Sequence, residues 1–403
     1  MSTTRQHFTL LLAAFTAVLL LLAGCAPLRY YESALVLHDL AAGEQASRLK
    51  RVTPAPLRET VNYTVDGRER RADLYLPGPL DACITPGAQF SLNCPRAALV
   101  AVPGAVPRGN DDPRFTAFAA TLARAGFAVL APEMPGFREL RVRPRDTREI
   151  ADAFRYARSR PELAPDGHAG MFAFSYAVGP AVLAALEPDI RDDVRFIAAL
   201  GGYYSLPRAM RFFTTGWYEQ DGALHFLAPD DTGRMVLAFS SLDYLNAPGD
   251  EKIFEQMVDA RLKDSAADLS PLAERLSAPG KTVYALAINI DPARFQEFFD
   301  RLPEAMSEDI ARLDLAHLDL SKLKARLWLV HGRKDNLIPW TESQALTAAA
   351  PAGQARVFLI HGVVGHVDLA VSDLLTTRFW MEDLPDLWQL WRVVNLLLAE
   401  RAP

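Results

Sequence analysis

Gly170-Met-Phe-Ala-Phe-Ser175-Tyr-Ala-Val-Gly179 places a serine where an apolar run of strand length gives way to helical spacing. Gly170 to Phe174 carries no charge, and Ala177 to Leu186 has apolar residues at helical intervals. The same alternation extends outward in both directions. Ala97 to Val102, Phe127 to Ala131, Val194 to Leu200, Leu327 to His331 and Val357 to His361 are further short apolar runs. Helical spacing separates them at Phe115–Ala125, Thr147–Ser159 and Glu342–Ala349, and a last helix is expected over about Leu384 to Ala399. Continuous apolar strands alternating with helices predict an α/β fold, a mostly parallel sheet with helices on both faces. Ahead of them, Asp66-Gly67 between Thr60–Val65 and Arg71–Leu76 predicts a hairpin.

One stretch breaks the rhythm. Tyr203 to about Lys322 shows helical pieces (Gly233–Leu245, Lys252–Leu262, Pro292–Leu302) and no buried strand. About 120 residues are too many for a loop, so residues 203–322 are expected to form a helical subdomain. The expected organisation is an export segment at 1–24, a tether with a short peripheral helix at 25–54, and a core of 55–202 with 323–403. No internal repeat or low-complexity tract is present.

The composition narrows the class. The chain has 403 residues, 50% hydrophobic and 23% charged, as in an ordinary folded protein. That length buries a large core without metal or disulfide staples. A net charge of -6 and the lack of a long basic run argue against a nucleic-acid partner. The 8 histidines are dispersed, with no H-E-x-x-H or C-x-x-C spacing, so no metal is expected. No G-x-G-x-x-G or P-loop occurs either, and no cofactor is expected.

The N-terminus reads as an export signal. Arg5 supplies the charge, and Phe8 to Leu22 is an apolar run of about 15 residues, short of the ~20 that span a bilayer. Leu22-Ala23-Gly24-Cys25 looks like a bacterial lipobox, in which Cys25 is lipidated and becomes the new N-terminus; an anchor helix or an ordinary cleaved signal is the competing reading. Ala26 in place of Asp, by resemblance to enterobacterial sorting rules, implies an outer-membrane protein facing the periplasm, held to the membrane by its lipid. Cys83 and Cys94 lie in a Pro/Gly/Ser/Asn-rich loop, and export predicts that they pair. A metal site is the alternative, without a neighbouring His or further Cys to support it.

Ser175 sits where a nucleophile elbow would, although the G-x-S-x-G form is degraded: Ala173 and Ala177 replace the two glycines. The competing reading makes Ser175 a helix N-cap. Two later motifs bear on the choice. Leu329-Val-His331-Gly-Arg-Lys-Asp335 puts an acid just past a strand's C-terminal end, and Gly362-Val-Val-Gly365-His366 puts a histidine on a loop after the next strand. Asp335 alone would be a turn residue and His366 alone a loop histidine.

In the order Ser, Asp, His and in these spacings, the chain from about residue 60 to its end resembles the α/β-hydrolase superfamily, with the insertion where that family carries its cap. The resemblance implies Ser175 as nucleophile, His366 as general base and Asp335 as the acid that orients it. His361, which ends its strand, is the rival base. Some relatives carry the acid after the preceding strand, but Gly201-Gly202-Tyr203 offers no carboxylate there. The oxyanion hole implied is the backbone N–H of Tyr176 with that of Ala105, or else Gly104; Pro103 has no N–H to offer. The expected activity is a serine hydrolase working through an acyl-enzyme at the cell envelope on a small-molecule ester or acyl substrate, with carboxylic esters as the expected class. A peptidase or acyltransferase would share the triad. A hydrolase-fold envelope lipoprotein with a dead site and a binding or structural role is the alternative from another class. Asp111 and Asp112 read as a solvated helix start, and Trp388 and Trp391 as a stripe packing the last helix on the sheet.

Overall fold

A computed structural model describes residues 27–83, 93–264, 266–362 and 379–401. Cys25, with the whole export segment, and His366 lie outside the described residues. Eight strands form one sheet: β1 (Leu57–Val65), β2 (Arg68–Leu76), β3 (Ala97–Val102), β4 (Phe127–Pro132), β5 (Ala169–Phe174), β6 (Phe196–Leu200), β9 (Arg326–Gly332) and β10 (Ala355–Ile360). Their order is β1-β2-β4-β3-β5-β6-β9-β10, parallel from β4 to β10. The parallel strands therefore deliver their C-terminal ends to one edge, where Ser175 and Asp335 lie. β3, β4 and the first five residues of β5 are buried throughout, as strands covered on both faces must be.

Alternate residues serve opposite faces. Ala98, Val100 and Val102 join the core with Ile150 and Phe154 of the helix Arg145–Arg158, while Ala97, Leu99 and Ala101 pack with Phe115 and Leu122 of the helix Pro113–Arg124. Asp112 caps the latter helix through Arg114 N–H (3.0 Å). The hairpin turns on Asp66 and Gly67, both at positive φ (47° and 76°), and pairs Val65 directly with Arg68. β2 consequently begins at once after the turn, three residues before the sequence pattern suggests.

The expected tether is instead structure. Pro27–Ala42 is a helix of 16 residues packed on the last helix, Leu384–Leu398. Trp391 donates its indole N–H to the carbonyl of Tyr30 (3.1 Å), and Asn395 donates to Ser33 (3.2 Å). Buried Asp39 accepts from Thr121 (2.7 Å) and pairs with Lys50 (3.0 Å), tying this helix to the one at 113–124. Trp391 thus covers the N-terminal helix, whereas Val394 and Leu397 of the same final helix face the sheet.

Between β6 and β9 the chain is mostly helical, with one addition. A two-stranded hairpin, β7 (Trp217–Gln220) and β8 (Ala223–Phe226), pairs on its own; it is short and solvent-facing, so no buried run announces it. The helices Leu206–Thr215, Ala278–Ala287 and Glu304–Leu313 also escaped the pattern. Pro207 and Pro279 read as separators, yet both sit in a first helical turn, where a missing N–H costs nothing. Cys83 and Cys94 are disulfide-bonded.

Asp152 joins the hairpin to the sheet's covering helix. Its fully buried carboxylate accepts from Arg68 (2.8 Å twice), Arg70 (3.1 Å) and Arg148 (2.9 Å). Burial pushes its pKa up, but the Arg68 hydrogen bonds and the three guanidinium charges outweigh that and hold it below the usual aspartate range. Asp152→Ala is expected to cost about 2 kcal/mol at pH 7, less than a fully buried pair because the arginines keep contact with water. The lowered carboxylate pKa means this stabilisation is present above about pH 4 and lost as pH falls below it. Thermal melts of both proteins at pH 7 and pH 3 check this; a stability gap that persists at pH 3 contradicts it.

Candidate active site

The elbow is present in the backbone. β5 ends at Phe174, Ser175 takes a left-handed conformation (φ 54°), and a single tight turn, Ser175–Ala177, leads into the helix Val178–Ala184. An N-cap serine would instead be extended and hold a first-turn N–H; here Ala177 occupies the cap position and no side chain caps the helix. The turn closes because its neighbours are small. Ala173 and Ala177 are fully buried. A Cβ on Gly179 would stand 2.1 Å from the Tyr203 hydroxyl, and one on Gly202 2.5 Å from Val178. Gly104 approaches from the loop after β3, its notional Cβ 3.3 Å from that of Ser175.

Asp335 lies three residues beyond β9 and is buried. Its Oδ1 accepts from the N–H groups of Leu337 (2.9 Å) and Ile338 (3.0 Å), and its Oδ2 is 3.3 Å from His331 Nε2. His331 is fully buried; Nε2 donates to the Ile338 carbonyl (2.9 Å), so Nδ1 accepts from Ser343 (2.7 Å). His361 is engaged elsewhere: its ring Nδ1 is 3.2 Å from Asp386, which also accepts from the backbone of His361 and Gly362. Asp386, in the first turn of the last helix, therefore fixes the start of the segment that leads to His366.

Ser175 and Tyr176 share one cavity with Ala105, Leu337 and Ile338. It spans about 850 Å³ of space between atoms, adjoining open solvent included. Its roof comes from the insertion, where three helices present residues at helical spacing: Leu206, Ala209, Met210 and Phe213 from one, Val236, Leu237 and Ser240 from the helix Thr232–Leu245, and Met306, Ile310 and Leu313 from Glu304–Leu313. The charged groups at its wall are already engaged. Arg143 pairs with Asp243 and lies 4.9 Å from the Tyr244 ring centre, and Tyr244 donates to Asp309 (2.6 Å). Among the described residues, no three His, Cys, Asp or Glu side chains gather where a metal ion could sit.

Beneath the elbow the Tyr176 ring meets Phe137 edge-on (5.4 Å) and stacks near Tyr203 (5.9 Å). Its hydroxyl has no hydrogen-bond partner among the described residues. Burial, with the nearby charge of Asp146, holds it protonated far above the usual tyrosine range. Asp146, at the start of the helix Arg145–Arg158, is pushed up to about 7 by burial, despite accepting from the Arg143 N–H (2.7 Å). Sequence reasoning missed Arg143, Asp146 and Asp386. An aspartate in a first helical turn ordinarily faces water, and only the tertiary packing reveals that these two are buried. Gly201-Gly202 did carry a signal, since a glycine pair after a strand marks a close approach.

No protein-family model and no curated protein matches the sequence. Solved structures do resemble it. A protein described as a candidate hydrolase from Legionella pneumophila aligns with a TM-score of 0.52 at 12% identity, over 86% of this chain and 92% of its own. An esterase from Pyrobaculum calidifontis aligns at 0.43 and 13% identity over 92% of this chain and 90% of its own. An acylaminoacyl peptidase from Pyrococcus horikoshii aligns at 0.42 and 10% identity over 87% of this chain, which spans only 42% of the peptidase. The strand order, the helices on both faces and the Legionella likeness make this the α/β-hydrolase fold.

The elevated pKa of Asp146 has a consequence for stability. An aspartate that titrates near 7 in the fold and about 3.9 when unfolded keeps its proton only in the folded state between those values. It therefore erodes stability as pH rises from about 4 to 7, and the loss is constant above. Asp146→Asn, which retains an acceptor for Arg143, is expected to raise stability by about 2–4 kcal/mol at pH 8, with the gain shrinking towards pH 5. Denaturant titrations at both pH values check it, and a gain independent of pH would contradict it.

Proposed function

We propose that this α/β-hydrolase-fold chain is a serine hydrolase that forms an acyl-enzyme, acting on carboxylic esters. One observation carries the reading: Ser175, held left-handed, opens into a cavity walled by Leu337 and Ile338, whose N–H groups hold Asp335. Two motifs 160 residues apart in sequence thereby converge on one space. Ser175 Oγ attacks the acyl carbonyl while His366 takes its proton, and Asp335 orients the imidazole and stabilises its cation. The tetrahedral oxyanion is met by the Tyr176 N–H and the Ala105 N–H, with Gly104 as the alternative donor. Collapse expels the alcohol, which leaves with the proton from His366. Water, deprotonated by His366, then attacks the acyl-enzyme, and the acid departs with Ser175 restored.

A peptidase or acyltransferase would use the same intermediate with another leaving group or acceptor. A binding lipoprotein with a dead site is disfavoured by the backbone at Ser175. A non-glycine residue there costs about 1–3 kcal/mol, and such strain concentrates where a side chain is being aimed. At the N-terminus, Leu22-Ala23-Gly24-Cys25 supports removal of residues 1–24 and attachment to the bacterial envelope by a lipid on Cys25, facing the periplasm from the outer membrane.

A fluorophosphonate probe tests the nucleophile directly. The folded protein is expected to label on Ser175, and Ser175→Ala to stay unlabelled. Asp335→Asn, which leaves an acceptor but disturbs the base's tautomer, is expected to lower kcat on a p-nitrophenyl ester by about 10⁴. Labelling of a different serine would overturn the assignment. For the anchor, mass spectrometry of the full chain expressed in a bacterial host is expected to find an N-terminal peptide beginning at a diacylglyceryl-modified Cys25, absent in Cys25→Ser. An unmodified Cys25 would remove the lipoprotein reading.

A further inference from the structure

The cavity over Ser175 does more than admit an ester; its walls discriminate between kinds of acyl group. We infer that it accepts an uncharged hydrocarbon acyl chain and rejects an acyl group bearing an α-ammonium, an inference that rests on the hydrolase reading and narrows it. Three insertion helices turn apolar faces to the serine: Ala209, Met210 and Phe213, then Val236 and Leu237, then Ile310. Methionine among branched side chains suits a flexible alkyl chain, because its unbranched thioether adapts to irregular gaps.

An α-ammonium needs a carboxylate close to the reacting carbonyl, or it remains buried and unpaired at a cost of several kcal/mol. Among the described residues, the wall supplies none for the purpose. Asp309 accepts from Tyr244 (2.6 Å) and pairs with Arg312 (3.4 Å). Asp243 is held by Arg141 and Arg143. Asp335 is directed at the backbone of Leu337 and Ile338 and at His331. A carboxylate-tipped acyl chain fares no better, since Arg143, the one guanidinium of the wall among the described residues, is taken by Asp243 and by the Val142 carbonyl. The chain belongs to the acyl side of the ester. The carbonyl carbon is held at Ser175, on the floor of the cavity. From there the cavity runs beneath the insertion helices.

The test is a ladder of p-nitrophenyl esters from acetate to dodecanoate, with one matched pair, 4-methylpentanoate against L-leucinate, which differ by the α-ammonium alone. kcat/KM is expected to rise about three- to fourfold per methylene over the first several carbons and then level as the cavity fills. The leucinate is expected to be turned over at least tenfold more slowly than its hydrocarbon twin. Val236→Trp, checked for folding by its melt, is expected to lower the ratio of dodecanoate to butyrate turnover at least tenfold. A parallel measurement needs no turnover: fatty acids added to Ser175→Ala are expected to raise its Tm increasingly with chain length. A protein that labels at Ser175 yet shows a flat ladder, a preferred leucinate, or a dependence on the alcohol's length instead would overturn the inference and leave the hydrolase reading standing. A protein that turns over no ester while fatty acids still stabilise it by chain length would keep the inference and remove the hydrolase reading. Failure of both measurements removes both.

Discussion

The backbone of Ser175 lies at φ 54°, a conformation a residue with a Cβ adopts only when its surroundings enforce it. The enforcement is visible on every side. β5 is paired in register on both flanks, Ala173 with Val102 and with Ala199, so the strand cannot shift to relieve the turn. The helix that follows is pressed against Tyr203 at Gly179, and Gly202 admits Val178 from the opposite direction. The Ser175 side chain is thereby set at the strand's end, on the cavity beneath the insertion.

The rest of the molecule can be understood as support for that one turn. A parallel sheet gathers the C-terminal ends of its strands on one edge, which is why Gly104 approaches Ser175 and why Leu337 and Ile338, whose N–H groups hold Asp335, share its cavity. The N-terminal helix closes the far side of the sheet through the last helix, and Asp152 locks the edge hairpin to the covering helix. Neither is among the cavity's lining residues. The insertion, by contrast, contributes a largely apolar lining whose one charged group among the described residues, Asp309, is held by Tyr244 and Arg312.

Much of this was legible because it depends on local pattern. Continuous apolar runs identified six parallel strands, and Asp66-Gly67 identified the hairpin. The placement of Ser175 and Asp335 just past strand ends was legible from the apolar runs that precede them. The features that escaped depend on tertiary contact or on context. Pro27–Ala42 looked like a tether because its mixture of Tyr, Ser and Leu has no partner until the last helix is in place. Asp146 and Asp386 looked like exposed first-turn acids, and their burial appears only when Tyr176 and the His361 backbone close over them. The β7–β8 hairpin lies in solvent, outside any pattern that burial imposes. His366 lies beyond the described residues, so its role stands on sequence order alone.

The alanines at 173 and 177 bear on whether a degraded motif can still make an elbow. In G-x-S-x-G the two glycines remove side chains from the crowded flanks of the serine. In this chain close approaches are found at other positions as well. Gly179 and Gly202 are the positions where an added Cβ would collide with Tyr203 and Val178, while Ala173 and Ala177 fill their sites with their methyl groups fully buried. Close backbone approach is thus found at the interface between the serine's helix and the loop after β6. The short motif therefore understates the elbow. What the turn requires is a set of close backbone approaches, and a chain may supply them with glycines that are distant in sequence. A search for the motif alone would pass over this protein, whereas Gly104, Gly179 and Gly202 together record the same constraint.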